Sequence, residues 1–178
     1  MGEEKAVKRL YIIGGAMGIG KTTVCQILKK ELPKAAFLDG DWCWDMDPFQ
    51  VTEETKAMVM ENIVYLLNNF IRCSAYENIL FCWVLHEQEI IDALMRQLNW
   101  ENCQVYLISL VCSQEALCRR LRKDVEKGIR REEVIARSIA RLPLYQGLKT
   151  IKIPVSDLSP RQTAERIISL EAPDDGEA

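Results

Sequence analysis

The sequence predicts an α/β fold in which a parallel sheet is covered by helices on both faces. Short apolar segments alternate with helical segments along the whole chain. The predicted strands are apolar at successive positions, as expected for strands buried between two layers of helices. Strands that alternate with helices also favour parallel crossover connections within one sheet.

The periodicity of apolar residues predicts five strands and six helices. The predicted strands cover Arg9–Ile13, Ala35–Leu38, Ile79–Leu85, Gln104–Cys112 and Thr150–Val155. The predicted helices cover Lys21–Leu32, Thr52–Arg72, Glu87–Leu98, Ser113–Lys127, Glu132–Tyr145 and a last segment that opens at Ser159. Ser113 is a predicted N-cap, and Gly128 is the expected first residue beyond that helix. Pro154 is compatible with a strand only at the edge of a sheet.

Length and composition limit the class of protein. The chain has 178 residues, a net charge of −3 and 48% apolar residues, which is typical of a globular domain. We expect one domain over residues 1–171 and a frayed acidic tail at 172–178. The mild acidity argues against a protein that coats nucleic acid, and no apolar run is long enough for a membrane helix. Seven cysteines without a C-x-x-C pair predict reduced thiols and a cytoplasmic location.

A glycine-rich sequence between the first strand and the first helix carries the clearest chemistry. It reads Gly15-Ala16-Met17-Gly18-Ile19-Gly20-Lys21-Thr22 and fits the pattern G-x-x-x-x-G-K-[ST]. Glycines let consecutive backbone N–H groups point inward and form a nest for phosphate at the start of a helix. We expect Lys21 to reach the β- and γ-phosphates, Thr22 to ligate Mg²⁺ and Thr23 to reach the α-phosphate. The alternative is a glycine-rich turn that binds nothing.

Two aspartates end the second predicted strand. Asp39 and Asp41 stand two residues apart, so both carboxylates can project toward the phosphate-binding sequence at the carboxyl edge of the sheet. One carboxylate can hold Mg²⁺, and the other can orient or deprotonate an acceptor hydroxyl. The alternative is a pair of turn residues, which Asp and Gly favour. Trp42 and Trp44 follow directly and predict either a substrate wall or a packed helical flap.

Residues 119–141, called the arginine segment below, concentrate positive charge. Nine basic and four acidic residues give this segment +5, so the remainder of the chain carries −8. The spacing of Arg130, Arg137 and Arg141 puts them on one helix face, provided that the helix includes Arg130. We interpret the segment as a mobile lid over the γ-phosphate, against the alternative of a solvated charged face. Arg120, or Arg119 beside it, is a candidate for stacking on an adenine ring.

Together these motifs resemble the small P-loop kinases of the nucleotide- and shikimate-kinase type, over about residues 8–171. The chain is also similar to proteins described as AAA-family ATPases, and Leu38-Asp39-Gly40-Asp41 resembles a sequence of adenylyl-sulfate kinases. The resemblance implies a three-layer P-loop NTPase fold with a five-stranded sheet in the order 2-3-1-4-5. It also implies ATP and Mg²⁺, with Asp39 and Asp41 serving Mg²⁺ and the acceptor.

Departures from the family pattern leave the acceptor open. The third strand is followed by Val84-Leu85-His86-Glu87, without a glycine triplet and without a clear acidic residue at the strand end. His86 and Glu87 are expected at the ligand edge, in either a ligand or a capping role. The sequence favours a kinase for a small-molecule acceptor over two alternatives, an NTP-binding regulator or slow ATPase and a kinase of nucleic-acid ends.

Overall fold

The computed structural model describes residues 7–170 and contains a five-stranded parallel sheet in the order β2-β3-β1-β4-β5. The strands are β1 Lys8–Gly15, β2 Ala35–Asp39, β3 Asn78–Cys82, β4 Cys103–Val111 and β5 Ile151–Pro154. Both the α/β fold and the strand order are therefore as predicted. Pro154 lies in β5, an edge strand, where its missing N–H leaves no sheet hydrogen bond unmade.

Helices connect the strands and cover the sheet. They are α1 Lys21–Glu31, α2 Glu53–Arg72, α3 Gln88–Met95, α4 Gln114–Glu126, α5 Glu133–Arg141 and α6 Pro160–Ile168, with 3₁₀ helices at Gly40–Trp44 and Leu142–Gly147. From β1 to β2 the chain crosses toward one edge of the sheet, and from β2 through β3 and β4 to β5 it crosses toward the other edge. Because each crossover is right-handed, this reversal of direction puts helices on both faces of the sheet. No helix within residues 7–170 is both long enough and apolar enough to span a membrane.

Capping residues match the sequence predictions at two helix starts. The Ser113 hydroxyl accepts a hydrogen bond from the Ala116 N–H at 3.2 Å at the start of α4. At α6, Ser159 and Gln162 form a reciprocal capping box. Each cap satisfies backbone groups that a helix end leaves without an intrahelical partner.

The third predicted helix was expected to reach Leu98 but ends at Met95. Two further predicted elements are also longer than the observed ones. The third strand was expected to reach Leu85, but β3 ends at Cys82, and the chain turns away at Leu85, whose φ is +42°. The helix expected to reach Tyr145 ends at Arg141, because Pro143 cannot donate the next helical hydrogen bond. In both cases the apolar residues continue in the sequence beyond the point where the backbone conformation changes, so the apolar pattern alone overestimates the length of the element. The tail expected at 172–178 lies outside the described residues.

The carboxyl ends of β1, β2 and β3 meet at one edge of the sheet. Ile13 and Asp39 are both paired in register with Cys82 of β3. This register brings the segment after β1 and the segment after β2 to the same place. Ligands of open α/β sheets bind at this edge.

Candidate active site

The phosphate loop, residues 15–22, joins β1 to α1 in a conformation that depends on glycines with positive φ, of which Gly18 and Gly20 are the clearest. Gly18 has φ +81°, and a Cβ there would lie 2.3 Å from Leu121 Cδ2 of α4. Gly20 is the left-handed N-cap of α1, with φ +108° and no side chain to cap the first turn. No side chain therefore caps the first turn of α1, which is the arrangement in which the N–H groups of a helix start can accept an anion.

Lys21 folds back over the phosphate loop. Its Nζ donates hydrogen bonds to the carbonyl oxygens of Gly15 at 2.8 Å and Ala16 at 3.1 Å. Burial lowers the pKa of Lys21, while Cys82, Asp41 and Asp39 act in the opposite direction. The ammonium is thus held beside the loop by backbone carbonyls, and an incoming phosphate can replace these with a stronger charged partner.

Thr22 connects the phosphate loop to β2. Its hydroxyl donates to Asp39 Oδ2 at 2.6 Å, and Asp39 Oδ1 accepts a hydrogen bond from the Asp41 N–H at 3.0 Å. Asp39 is only 5% exposed, and both of its oxygens have partners. Because the Thr22 hydroxyl acts as a donor to Asp39, the lone pairs of its oxygen remain available to a further ligand. The two hydrogen bonds also fix the orientation of the Asp39 carboxylate.

The donor set fits a magnesium ion held partly by substrate. Thr22 and Asp39 supply hard oxygen atoms, the ligand type that Mg²⁺ prefers, and Mg²⁺ usually keeps several waters and phosphate oxygens. Within residues 7–170, no three His, Cys, Asp or Glu side chains are grouped to hold a metal ion by themselves. These residues therefore suit a metal that arrives with a nucleotide rather than a permanent protein cage.

Asp41 lies at the rim of the site, beside a tryptophan that sequence reasoning missed. Partial burial and the neighbouring Asp39 raise the pKa of Asp41, while Lys21, Arg130 and hydrogen bonding with Trp83 act to lower it. The Trp83 ring lies across Gly40, where a Cβ would be 2.6 Å from the ring. A larger residue between the two aspartates would displace this ring. The predicted strand Ile79–Leu85 includes Trp83, so the sequence did not distinguish this tryptophan from a strand residue of the core, and only the end of β3 at Cys82 shows its position at the site.

A cavity of about 420 Å³ opens above the phosphate loop. Loop and α1 residues from Met17 to Thr23 line it together with Asp41, and α4 contributes Arg120 and Lys123. The guanidinium of Arg120 donates to the carbonyl oxygens of Ile19 at 3.1 Å and of Val155. Arg120 thus lies at the cavity, held by backbone carbonyls, and its stacking on adenine stays a prediction.

The arginine segment consists of most of α4, a turn and α5. Gly128 has φ +69°, and the Ile129 N–H donates to the Asp124 carbonyl at 2.9 Å, which completes a Schellman motif at the end of α4. Arg130 follows this motif, so it lies before α5. The condition for Arg130 to share a helix face with Arg137 and Arg141 is therefore not met, because the turn separates Arg130 from α5.

The three arginines lie in different surroundings. Arg130 lines the cavity, and its Nε is 3.1 Å from Asp124 Oδ2. Arg137 is exposed on α5. Arg141 is half-buried near His86, where burial first and then the Arg141 charge lower the pKa of the imidazole. In this conformation, Arg130 is the one of the three that borders the cavity.

Val84, after β3, links the 3₁₀ helix that follows α5 to the phosphate loop. Its carbonyl accepts a hydrogen bond from the Tyr145 hydroxyl at 2.7 Å and another from the Gly15 N–H at 3.2 Å. Tyr145 is fully buried, and burial raises its pKa. No sequence signal distinguished this tyrosine from an ordinary core aromatic.

His86 Nε2 contacts Glu87 Oε1 at 3.1 Å, while its buried Nδ1 has no partner among the described residues.

Sequence comparison identifies one family. A family model described as AAA domain matches residues 12–139, which includes the phosphate loop, both aspartates and most of the arginine segment. None of the curated proteins matches the sequence significantly.

Solved structures with the same fold include several kinases. A gluconokinase from Sinorhizobium meliloti 1021 aligns with a TM-score of 0.64 and 14% identity, covering 91% of this chain and 90% of that one. A sugar kinase from Janibacter sp. HTCC2649 aligns with a TM-score of 0.65 and 16% identity, covering 90% and 92%. The tunicamycin resistance protein of Deinococcus radiodurans aligns with a TM-score of 0.66 and 19% identity, covering 93% and 99%. At these identities the likeness establishes a P-loop kinase-like fold.

Proposed function

The chain belongs to the AAA domain family, and on that premise we propose that it is a kinase that transfers the γ-phosphoryl group of Mg-ATP to a small-molecule hydroxyl. The observation that carries the proposal is the hydrogen-bonded connection from Thr22 through Asp39 to Asp41. The last bond of this connection comes from the Asp41 backbone N–H, so it fixes the Asp41 backbone beside the phosphate loop, and the Asp41 carboxylate is a second acidic group at the cavity rim. A site that only bound a nucleotide would have no need of this second group.

The phosphate loop and Lys21 bind the β- and γ-phosphates, and Thr23 reaches the α-phosphate. Thr22 and Asp39 hold Mg²⁺, which neutralises charge on the phosphate oxygens when it is bound. Arg120 borders the nucleotide on the α4 side. Lys21 exchanges its two carbonyl partners for phosphate oxygens as the nucleotide enters.

Asp41 serves the acceptor. The acceptor oxygen attacks the γ-phosphorus, the bond from that phosphorus to the ADP oxygen breaks, and the hydroxyl proton passes to the Asp41 carboxylate. The raised pKa of Asp41 makes its carboxylate a better proton acceptor than an ordinary aspartate. Arg130 borders the γ-phosphate side, and we propose that Arg137 and Arg141 join it when the arginine segment closes as a lid.

The partners of the reaction are ATP and a small-molecule acceptor. A nucleic-acid substrate would need a basic track beyond the arginine segment, whereas the remainder of the chain carries −8. The seven cysteines are all free, which favours a reducing compartment, and we propose a cytoplasmic location.

The first prediction concerns Asp41. In a metabolite library screened for acceptor-dependent ADP formation, Asp41→Asn lowers kcat/KM for the acceptor by about 10²- to 10⁴-fold, the range for a lost general base. Calorimetry with a Mg-bound ATP analogue shows affinity close to that of the unchanged protein. Asp157→Asn, a change of the same type at an exposed carboxylate after β5, is the control.

The pH dependence gives a second readout of the same residue. Ionised Asp41 accepts the proton, so activity is present above its pKa and is lost as the pH falls through it. Because that pKa is raised, the acid limb of kcat/KM lies at higher pH than for an ordinary aspartate, and Asp41→Asn removes the limb. Steady ADP formation that no metabolite stimulates would support a slow ATPase instead.

A further inference from the structure

We propose that Arg120 is a positioning residue of the nucleotide site, which joins the two walls of the cavity and thereby fixes the backbone of the phosphate loop. This inference rests on the proposed function, since the walls matter only if a nucleotide binds between them. One wall is the phosphate loop with the start of α1. The other wall lies between the end of β5 and the first turns of α6 and consists of Val155, Leu158, Pro160 and Thr163.

The side chain of Arg120 reaches both walls. Its Nη1 donates a hydrogen bond to the Ile19 carbonyl at 3.1 Å, and its Nη2 donates to the carbonyl oxygens of Val155 and, at 3.5 Å, of Ser156. Ile19 and Val155 are both buried. A planar guanidinium with several fixed donors can hold acceptors on two sides at once, whereas the ammonium of a lysine cannot reproduce this geometry.

The bond to Ile19 acts on the phosphate loop. The carbonyl of Ile19 and the N–H of Gly20 belong to one planar peptide unit, in which the two groups point in opposite directions. Glycine adopts positive and negative φ with similar ease, and a Cβ at Gly20 would meet nothing within 4 Å. Arg120 therefore restricts a peptide unit that glycine leaves free to turn. The N–H groups of such a turn are the donors from which a phosphate nest is built.

The connection between the walls distinguishes Arg120 from the other cations of the cavity. Lys123 and Lys127 of α4 also line the cavity, but within residues 7–170 neither ammonium hydrogen-bonds to a wall. Arg120 is half-buried, and no carboxylate of the described part of the chain forms an ion pair with it. Positive charge is thus shared by three residues of α4, whereas the bridging hydrogen bonds belong to Arg120.

Other contacts keep α4 in place when Arg120 is changed. The Ser113 N–H, at the start of the helix, donates to Ser156 Oγ at 2.9 Å. Farther along the helix, Leu117 and Leu121 are buried in the core. We therefore expect a substitution of Arg120 to loosen the walls without detaching the helix, so that the affinity of the folded protein falls.

Calorimetry with two probes tests the proposal: a Mg-bound ATP analogue, and Mg-bound tripolyphosphate, which has no base. Arg120→Lys keeps the charge but loses the planar donors. We expect its affinity for both probes to fall by a similar factor of about tenfold, because a loop that is no longer pre-organised must be ordered on binding. Unchanged affinity for both probes would overturn the inference in favour of charge alone. A loss confined to the ATP analogue would overturn it in favour of a contact with the base.

Arg161→Lys is the matched control. Arg161 of α6 pairs with Glu31 of α1 at 3.3 Å, so it joins the same two helices, but it is exposed and does not line the cavity. We expect its affinity for both probes to stay within about twofold, since exposed ion pairs contribute little. Denaturant unfolding of each variant ensures that affinities are compared on folded protein.

Arginine side-chain NMR of the unchanged protein gives a test that needs no variant to fold. We expect the guanidinium protons of Arg120 to exchange slowly with solvent, both without nucleotide and with the Mg-bound analogue, because hydrogen bonding protects them in both states. Exchange as fast as that of Arg161 would overturn the inference. Mg-ATP binding without turnover of any metabolite would contradict the proposed kinase and leave this inference standing, because its readout is affinity.

Discussion

The phosphate loop and the arginine segment are both expected to contact the same phosphates, but they are built differently. The loop is fixed by its backbone: glycine φ angles, the start of α1 and carbonyl contacts from Lys21 define it. The later part of the arginine segment, residues 127–141, is held more loosely. Within α5 only Ser138 is buried, whereas α4 buries Ala116, Leu117 and Leu121.

The two regions therefore suit different tasks: the phosphate loop suits binding of phosphate, and residues 127–141 suit closure over the bound nucleotide. Pre-formed N–H donors bind phosphate without reorganisation, so the loop needs rigidity. A lid must open for exchange and is drawn from a region of low local stability. The pair Arg130–Asp124, at 3.1 Å, holds the turn in the present conformation. A nucleotide offers Arg130 a more highly charged partner.

The largest expected effect is in the loop. Lys21→Ala removes the charge that meets the β- and γ-phosphates, and we expect turnover to fall by at least about 10²-fold, as for other lost charge-stabilising donors. The unfolding transition should change little, because the hydrogen bonds of Lys21 go to two carbonyls of the phosphate loop itself. Lys29→Ala, at an exposed lysine of the same helix, is the control. Unchanged Mg-ATP affinity in Lys21→Ala would contradict the phosphate-loop assignment.

The loop was predictable and the lid geometry was not, for a physical reason. Residues 15–22 lie within one local turn, so spacing alone fixes their arrangement. Arg130 depends on where α4 ends and α5 begins, and the apolar period does not show the intervening turn. Trp83 and Tyr145 act through Gly40 and Val84, which are distant in sequence. Contacts of this kind follow from the strand order and register, which periodicity does not specify.

A further prediction compares one glycine of the phosphate loop, Gly18, with one glycine of the arginine segment, Gly128. Gly18→Ala combines backbone strain at φ +81° with a Cβ 2.3 Å from Leu121, and we expect it to cost about 3 kcal/mol of unfolding free energy. Gly128→Ala has φ +69° and open space, so only strain of about 1 kcal/mol applies. Denaturant unfolding measures both.

A double-mutant cycle sharpens this comparison. In a Leu121→Ala background the steric part of the Gly18→Ala cost should disappear, leaving about the 1 kcal/mol of strain expected at Gly128. An equal cost of Gly18→Ala in both backgrounds would mean that Leu121 does not restrict the loop. Equal costs at Gly18 and Gly128 in the unchanged background would remove the contrast between the two regions.

Another prediction concerns movement of the lid, residues 127–141. A Mg-bound ATP analogue gives Arg130 charged partners, and we expect amide exchange over residues 127–141 to slow by about tenfold. Residues 119–126 should change less, because Leu121 of α4 is already in the core. Hydrogen exchange with and without the analogue measures this. Equal protection in both states across 127–141 would indicate a rigid, solvated arginine surface.

The smallest expected effect lies at Val84, which joins the 3₁₀ helix after the arginine segment to the phosphate loop. Tyr145→Phe removes the hydroxyl that donates to the Val84 carbonyl, but that carbonyl keeps its hydrogen bond from the Gly15 N–H. The ring still fills its site, so we expect a loss of about 1 kcal/mol in unfolding free energy, the net value of one hydrogen bond. Tyr65→Phe, at a side chain that is 68% exposed, is the control and should change nothing. ATP affinity should stay within about twofold, because the loop is fixed by its own backbone. A parallel loss of ATP affinity would show instead that the 3₁₀ helix after the lid and the phosphate loop are energetically coupled through Val84.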